Sequence, residues 1–226
     1  VVGIPTFVTL TAAGWLLAAS VMTVLWALHQ RVHNAALIDA GWTALVAGLA
    51  ILYANLGDGA WSRRSAIAWM MGSWGARLVV HLLYVPANAA PERKHSFWSL
   101  QALAASAVFF SLPALLASIN PAPTLSIADL VAGGIWVVGF AGETTADRQL
   151  LRFRSNAANA GLVCRTGLWR YTPHAHAIFE GVIWLAFALI AGGSPEWPWG
   201  WAAFACPVAM LWTLGTGNAF RLSLWK

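Results

Sequence analysis

The chain has 226 residues, of which 59% are hydrophobic and only 9% charged, and its mean hydropathy is +0.66. A soluble domain carries about 25% charged residues, so this composition excludes a soluble globule and indicates an integral membrane protein. The net charge of +5 does not point to nucleic acid, since the arginines gather at the ends of apolar runs and form no basic stretch interleaved with aromatics.

Seven apolar runs approach the roughly 20 residues that a spanning helix needs: 5–28, 36–57, 65–85, 98–119, 125–147, 174–192 and 198–217. Without an alternating barrel pattern, bilayer physics makes them helices. The predicted fold is all-α, a single transmembrane bundle over residues 1–226 with about seven spanning helices. The first run is too long for a signal-peptide core and reads as a spanning helix. The second opens on Asp39. The third carries Arg77 and His81, four apart on one face, and Asp39 is the partner expected for Arg77. This group either fixes helix packing or belongs to a working site.

The fifth run begins near Asp129, where a carboxylate suits the helix dipole and needs no further role. Farther along, Glu143, Asp147 and Arg154 are spaced by four and seven. They form one stripe if the helix continues beyond the bilayer. Such a stripe could bind ribose or amide groups and pair an anion with Arg154. It could equally be a solvated helix end with an intrahelical ion pair. Residues 148–173 form the only long break between runs. In GLWRYTPHAHAIFEG, residues 167 to 181, Thr172 and Pro173 read as the N-cap and first-turn proline of the sixth helix. Its start, flanked by Arg165 and Arg170, suits an anion. His174 lies in the first turn, and His176 and Glu180 share a deeper face. A metal on His176 and Glu180 lacks a third ligand placed by spacing, so none is assigned. Cys164 and Cys206 are too few for a disulfide framework or a zinc site, and Cys206 reads as a small packed residue.

Lysine and arginine set the orientation. Ten of the 13 follow odd-numbered helices, and two, Arg63 and Arg64, follow an even-numbered one. The bias places the N-terminus outside, the C-terminus in the cytoplasm and residues 148–173 on the cytoplasmic side. The expected location is a bacterial inner membrane.

The stretch AGETTADRQLLRFRSNAANAGLVCRTGLWRYTPH resembles the signature region of the steroid 5-alpha-reductase-like membrane proteins, in particular their bacterial branch of mostly unassigned function. LIDAGWTALVAGLAILYANLGDG and WGARLVVHLL resemble the same branch, and the similarity covers roughly residues 35 to 190. The resemblance implies a bundle open to the cytoplasm that binds NADPH near the fifth, sixth and last helices. The implied reaction is hydride transfer to a conjugated C=C bond of a steroid or other lipid. It places Asp147 and Arg154 at cofactor-contacting positions, and His174 and Glu180 at the ends of the family motif H-P-N-Y-x-x-E. Ala175, His176 and Ala177 replace the middle of that motif. The loop PANAAPERKHSFW lacks the acidic, tyrosine-bearing stretch usual in the branch. The sequence ends at FRLSLWK, where the family continues into a basic, tyrosine-containing tail.

Two functions follow. One is an NADPH-dependent reductase of an isoprenoid, sterol or fatty-acyl double bond. In it Glu180 and His176 are catalytic, and Glu143, Asp147, Arg154, Arg165, Arg170 and His174 hold the cofactor. The other is a lapsed relative that serves as an accessory subunit among other membrane subunits. Membrane lipids are partners in both, and a lipid-soluble substrate in the first.

Overall fold

A computed structural model describes residues 4–32, 35–84, 95–159, 161–195 and 197–215. The α-helices are α1 (Ile4–Val32), α2 (Ala35–Leu56), α3 (Trp61–Tyr84), α4 (Phe97–Ser118), α5 (Ile127–Ser155), α6 (Ala175–Gly192) and α7 (Ala205–Gly215). No strand occurs among the described residues. Helix formation is forced here, because backbone N–H and C=O groups in lipid must pair within their own segment.

Six helices, α1 to α6, are long and apolar enough to cross a membrane. The seventh run departs from expectation. Pro198–Phe204 forms a 3-10 helix, and only the 11 residues of α7 follow as α-helix. Pro198 opens the 3-10 helix, where a missing N–H breaks no intrahelical bond, and Pro207 lies just past its junction with α7. Residues 216 and 217 of that run, most of the loop before Phe97 and the FRLSLWK end lie outside the described residues. The fifth run instead exceeds expectation. It continues as one helix to Ser155, so the break before α6 shortens.

Helix α4 packs against α1, α2 and α6; α3 lies along α2, and α5 lies along α6. The core is aromatic at its centre. Trp42 of α2 donates its indole N–H to Ser106 Oγ of α4 at 3.0 Å and meets Phe110 edge-on. Trp184 of α6 contacts both Phe110 and Trp74 of α3, the latter at 5.6 Å between ring centroids. Close packing of α5 on α6 depends on Gly139. A Cβ there would lie 2.8 Å from Ile183 Cγ1 and 3.1 Å from the Phe179 carbonyl oxygen.

Pro113 lies inside α4 and leaves the Phe109 carbonyl without its helical donor. The Cys206 thiol of α7 donates to that oxygen at 3.2 Å. Cys206 is therefore more than a small packed residue, since it satisfies the group that a buried proline orphans.

The backbones of α3 and α5 are not closely packed, yet buried charges join them. Arg63, 0% exposed, donates to both carboxylate oxygens of Asp129 at 3.0 and 3.3 Å. It also donates to the carbonyls of Ala122 and Thr124 at 2.9 Å. Asp129 also closes a capping box with Ser126. Two sequence readings are corrected here. Arg63 belongs to the first turn of α3, not to a loop, and Asp129 is the buried partner of a guanidinium as well as a dipole-complementing residue. Burial decides this, because an arginine below the membrane surface needs a carboxylate and several acceptors.

Removing one partner of such a pair strands the other charge. Arg63→Met should lower stability in detergent by about 3–5 kcal/mol. Adding Asp129→Leu should restore most of the loss. Reversible unfolding of the two variants measures both. A loss below about 1 kcal/mol for the single change would mean that the pair is wet and weak.

Candidate functional site

At the opposite end of α3 and α5 the same device recurs with more charges. Arg77 Nη2 lies 2.5 Å from Glu143 Oε1, and Arg77 Nη1 donates to Asp147 Oδ2 at 2.6 Å. Glu143 is 0% and Asp147 2% exposed. Arg63 to Arg77 and Asp129 to Glu143 span the same fourteen-residue interval, about 21 Å of helix at 1.5 Å per residue. The two ion-pair sites thus hold α3 and α5 parallel and in one register.

This corrects the expected partner of Arg77, which is the Glu143–Asp147 pair rather than Asp39. It also removes the reading of Glu143 and Asp147 as a solvated helix end. Helix periodicity places two carboxylates one turn apart, and an aromatic pair of the same helix lies beside the arginine that joins them. Phe140 and Trp136 stack at 4.9 Å, and the Arg77 guanidinium lies 5.5 Å from the Phe140 ring centre.

Other charged groups converge on this pair. Glu180 of α6 lies within electrostatic reach of Arg77, Asp147 and Glu143, and Trp184 faces it from one turn farther on. His81, one turn beyond Arg77, interacts with Asp147 and Arg154. His176 interacts with His174, Arg154 and His81. The structure therefore gathers Glu143, Asp147, Arg154, His174, His176 and Glu180 from α5 and α6, and adds Arg77 and His81 from α3. Arg154, Arg165, Arg170 and His174 are exposed, Glu180 is half-buried, and His176 is buried. Two carboxylates pair with the largely enclosed Arg77 guanidinium and a third, Glu180, lies within its reach, an imbalance that plain helix-to-helix glue does not need.

The segment leading into α6 folds back over α5. Gly167 adopts φ +58°, a conformation that glycine accepts readily. The next amide, Leu168 N–H, donates to Gln149 Oε1 at 2.8 Å. The 3-10 turn Gly167–Arg170 then inserts Trp169, whose indole N–H donates to the Ala146 carbonyl at 2.9 Å. Its ring lies on the His176 ring, with centroids 5.3 Å apart. Neither Trp169 nor Gln149 was nominated from sequence. Trp169 lies in the GLWRY phrase and Gln149 in ADRQLLRFR on α5, and a loop has no period to reveal that its tryptophan turns inward onto that helix.

The start of α6 also differs from expectation. The helix begins at Ala175, with His174 as N-cap and no side-chain capping bond. Thr172 Oγ1 instead accepts the His174 N–H at 3.1 Å, in a turn before the helix. Proline biases its predecessor toward extended backbone, which leaves Thr172 and Pro173 outside the helix.

Trp169 should act as the roof beam of this site. Trp169→Ala should destabilise the packing of residues 161–174 on α5 by about 3–5 kcal/mol. The expected readout is faster amide hydrogen exchange in that segment, while α2 and α4 stay protected. Unchanged exchange would show that Gln149 and Gly167 hold the segment without the indole.

Comparison with known proteins gives one family. Its model, described as a protein of unknown function, DUF1295, matches residues 25–94 and 85–222. No curated protein and no solved structure matches the chain. A match over most of the length, on a bundle of apolar helices, places this membrane protein in the DUF1295 family.

Proposed function

We propose that the protein is a membrane-bound, NADPH-dependent reductase of a carbon–carbon double bond in an isoprenoid, sterol or fatty-acyl lipid. One observation carries this reading: the buried Glu143 and Asp147 are held by Arg77 with Glu180 within reach, and Asp147 shares His81 with the exposed Arg154 as a common electrostatic neighbour. The resemblance to steroid 5-alpha-reductase-like proteins supplies the reaction class. In this reading the arginine-rich end faces the cytoplasm of a bacterial inner membrane.

The residues fit such a cofactor. Among the described residues, Asp147 Oδ1 and Glu143 Oε2 are buried without a hydrogen-bond donor. They can accept from ribose hydroxyls or a carboxamide. Arg154, Arg165 and Arg170 are exposed and suited to phosphates. When bound, NADPH supplies a hydride to one carbon of the double bond. Arg77 keeps Asp147 and Glu143 oriented, so that their open oxygens point consistently. His174 and Arg154 form the exposed rim. Glu180 and His176 are the groups on α6 that can carry a proton, at a carboxyl oxygen and at a ring nitrogen. Apolar helix walls exclude water and would accept a lipid tail.

A second reading, an accessory subunit with lapsed activity, is favoured by one specific observation. His176 replaces the amide of the family motif, and its ring is packed beneath Trp169 rather than presented openly. Both readings meet in one binding experiment. The purified, detergent-solubilised protein is titrated with NADPH, and nicotinamide fluorescence is followed. Micromolar binding is expected, weakened about tenfold or more by Arg154→Ala through loss of a charge-assisted contact. No binding up to millimolar cofactor would leave the scaffold role alone.

A further inference from the structure

A second polar feature lies at the far end of the bundle, away from the α3, α5 and α6 charge cluster. Helix α2 ends at Leu56 and α3 begins at Trp61, so their junction marks one edge of the apolar span. A cavity of about 290 Å³ opens there, lined by Ala54, Asn55, Trp61, Arg64, Ser65 and Ala68, with Trp69 completing the wall. Trp61 is 75% and Trp69 79% exposed, which puts both indoles on the outer surface.

Adjacent arginines behave differently here. Arg63 is buried and neutralised by Asp129. Among the described residues Arg64 Nη1 donates to the Ala54 and Asn55 carbonyls, at 3.1 and 3.2 Å, where it caps the end of α2. Carbonyls hold a guanidinium in place without cancelling its charge. Among the described residues no carboxylate forms a salt bridge with Arg64, and nearby Asp58 accepts from Thr6 instead. The result is an anchored cation in the wall of an open cavity, with neutral Asn55 and Ser65 beside it and two interfacial indoles around it.

We propose that this cavity binds the headgroup phosphate of a membrane phospholipid. Arg64 meets the phosphate oxygens. Asn55, whose amide also donates to the Ile51 carbonyl, and Ser65, whose hydroxyl donates to the Ser62 carbonyl and so serves as an acceptor, meet the headgroup hydroxyls, and Trp61 and Trp69 flank the upper acyl chain. Each element of the cavity matches one part of that ligand. Arginine recognises phosphate through charge-assisted hydrogen bonds. Indoles favour the depth at which the glycerol backbone lies. A soluble anion would use the cation but would gain nothing from two exposed indoles. The site is independent of the reductase reading.

Native mass spectrometry of the full chain, delipidated in detergent and titrated with dioleoyl phosphatidylglycerol, tests this. One preferentially retained lipid is expected. Arg64→Gln should weaken it about tenfold, while Arg31→Gln, an exposed arginine at the other end, should not. Because Arg64 also caps α2, a second variant, Ala68→Phe, fills the cavity and leaves the arginine in place. It should remove the retained lipid while circular dichroism stays that of the parent. Equal retention by the parent and by Ala68→Phe would overturn the proposal. Inorganic phosphate binding with the same affinity, and displacing the lipid, would overturn the lipid assignment in favour of a free anion.

Discussion

Arginine inside an apolar bundle is the constraint on which this architecture depends. A guanidinium cannot shed its charge in lipid, so it must find carboxylates and carbonyls nearby. Arg63 and Arg77 do so across the same gap, on Asp129 and on the Glu143–Asp147 pair. Helices α3 and α5 are each packed along a different neighbour, α2 and α6. Their mutual register therefore rests on charge rather than on interdigitated side chains. That arrangement leaves polar groups between helices where a fully packed core would leave none.

The two arginine sites differ in balance. At Arg63 one carboxylate and two carbonyls meet one guanidinium, so the charge is balanced and each of its three nitrogens is bonded. At Arg77 two carboxylates meet it, a third lies within reach, and two carboxylate oxygens, Asp147 Oδ1 and Glu143 Oε2, have no donor among the described residues. Buried acceptors without donors call for an explanation, and at Arg77 the one we propose is a ligand. The segment 161–174 adds a roof to the open site. Trp169 ties it to α5 through the Ala146 carbonyl and to α6 through the His176 ring. One loop residue thereby connects the two helices that supply most of the polar groups.

Much of this was legible in the sequence, for identifiable reasons. Length and hydropathy announce α1 to α6, because the bilayer sets the length of a spanning helix. The four-residue spacing of Glu143 and Asp147 announces a shared face, because helix geometry is local. Pairing across helices is not local. Asp39 is the partner expected for Arg77 from the sequence, and nothing in the spacing of Glu143 and Asp147 on another helix signals that they take its place. The same holds for Cys206 and the Phe109 carbonyl. Pro113 signals that a carbonyl is orphaned, but not which residue will satisfy it. Thr172 and Pro173 carry the pattern of a helix cap, yet the hydroxyl serves a turn, and α6 starts later. The apolar run at 198–217 misled because hydropathy does not report the 3-10 geometry over Pro198–Phe204.

We propose that the Arg77 cluster is a binding site and not merely glue between helices. Replacing all three members together separates these roles. In the variant Arg77→Met, Glu143→Leu, Asp147→Leu both ion pairs leave together and the half-buried Glu180 is the one carboxylate of the cluster that remains, so folding should survive with stability in detergent close to that of the parent. NADPH affinity is then measured on the folded variant by nicotinamide fluorescence. Binding that falls below detection in a stably folded protein is the predicted result. Affinity equal to that of the parent would show that the cluster serves packing alone.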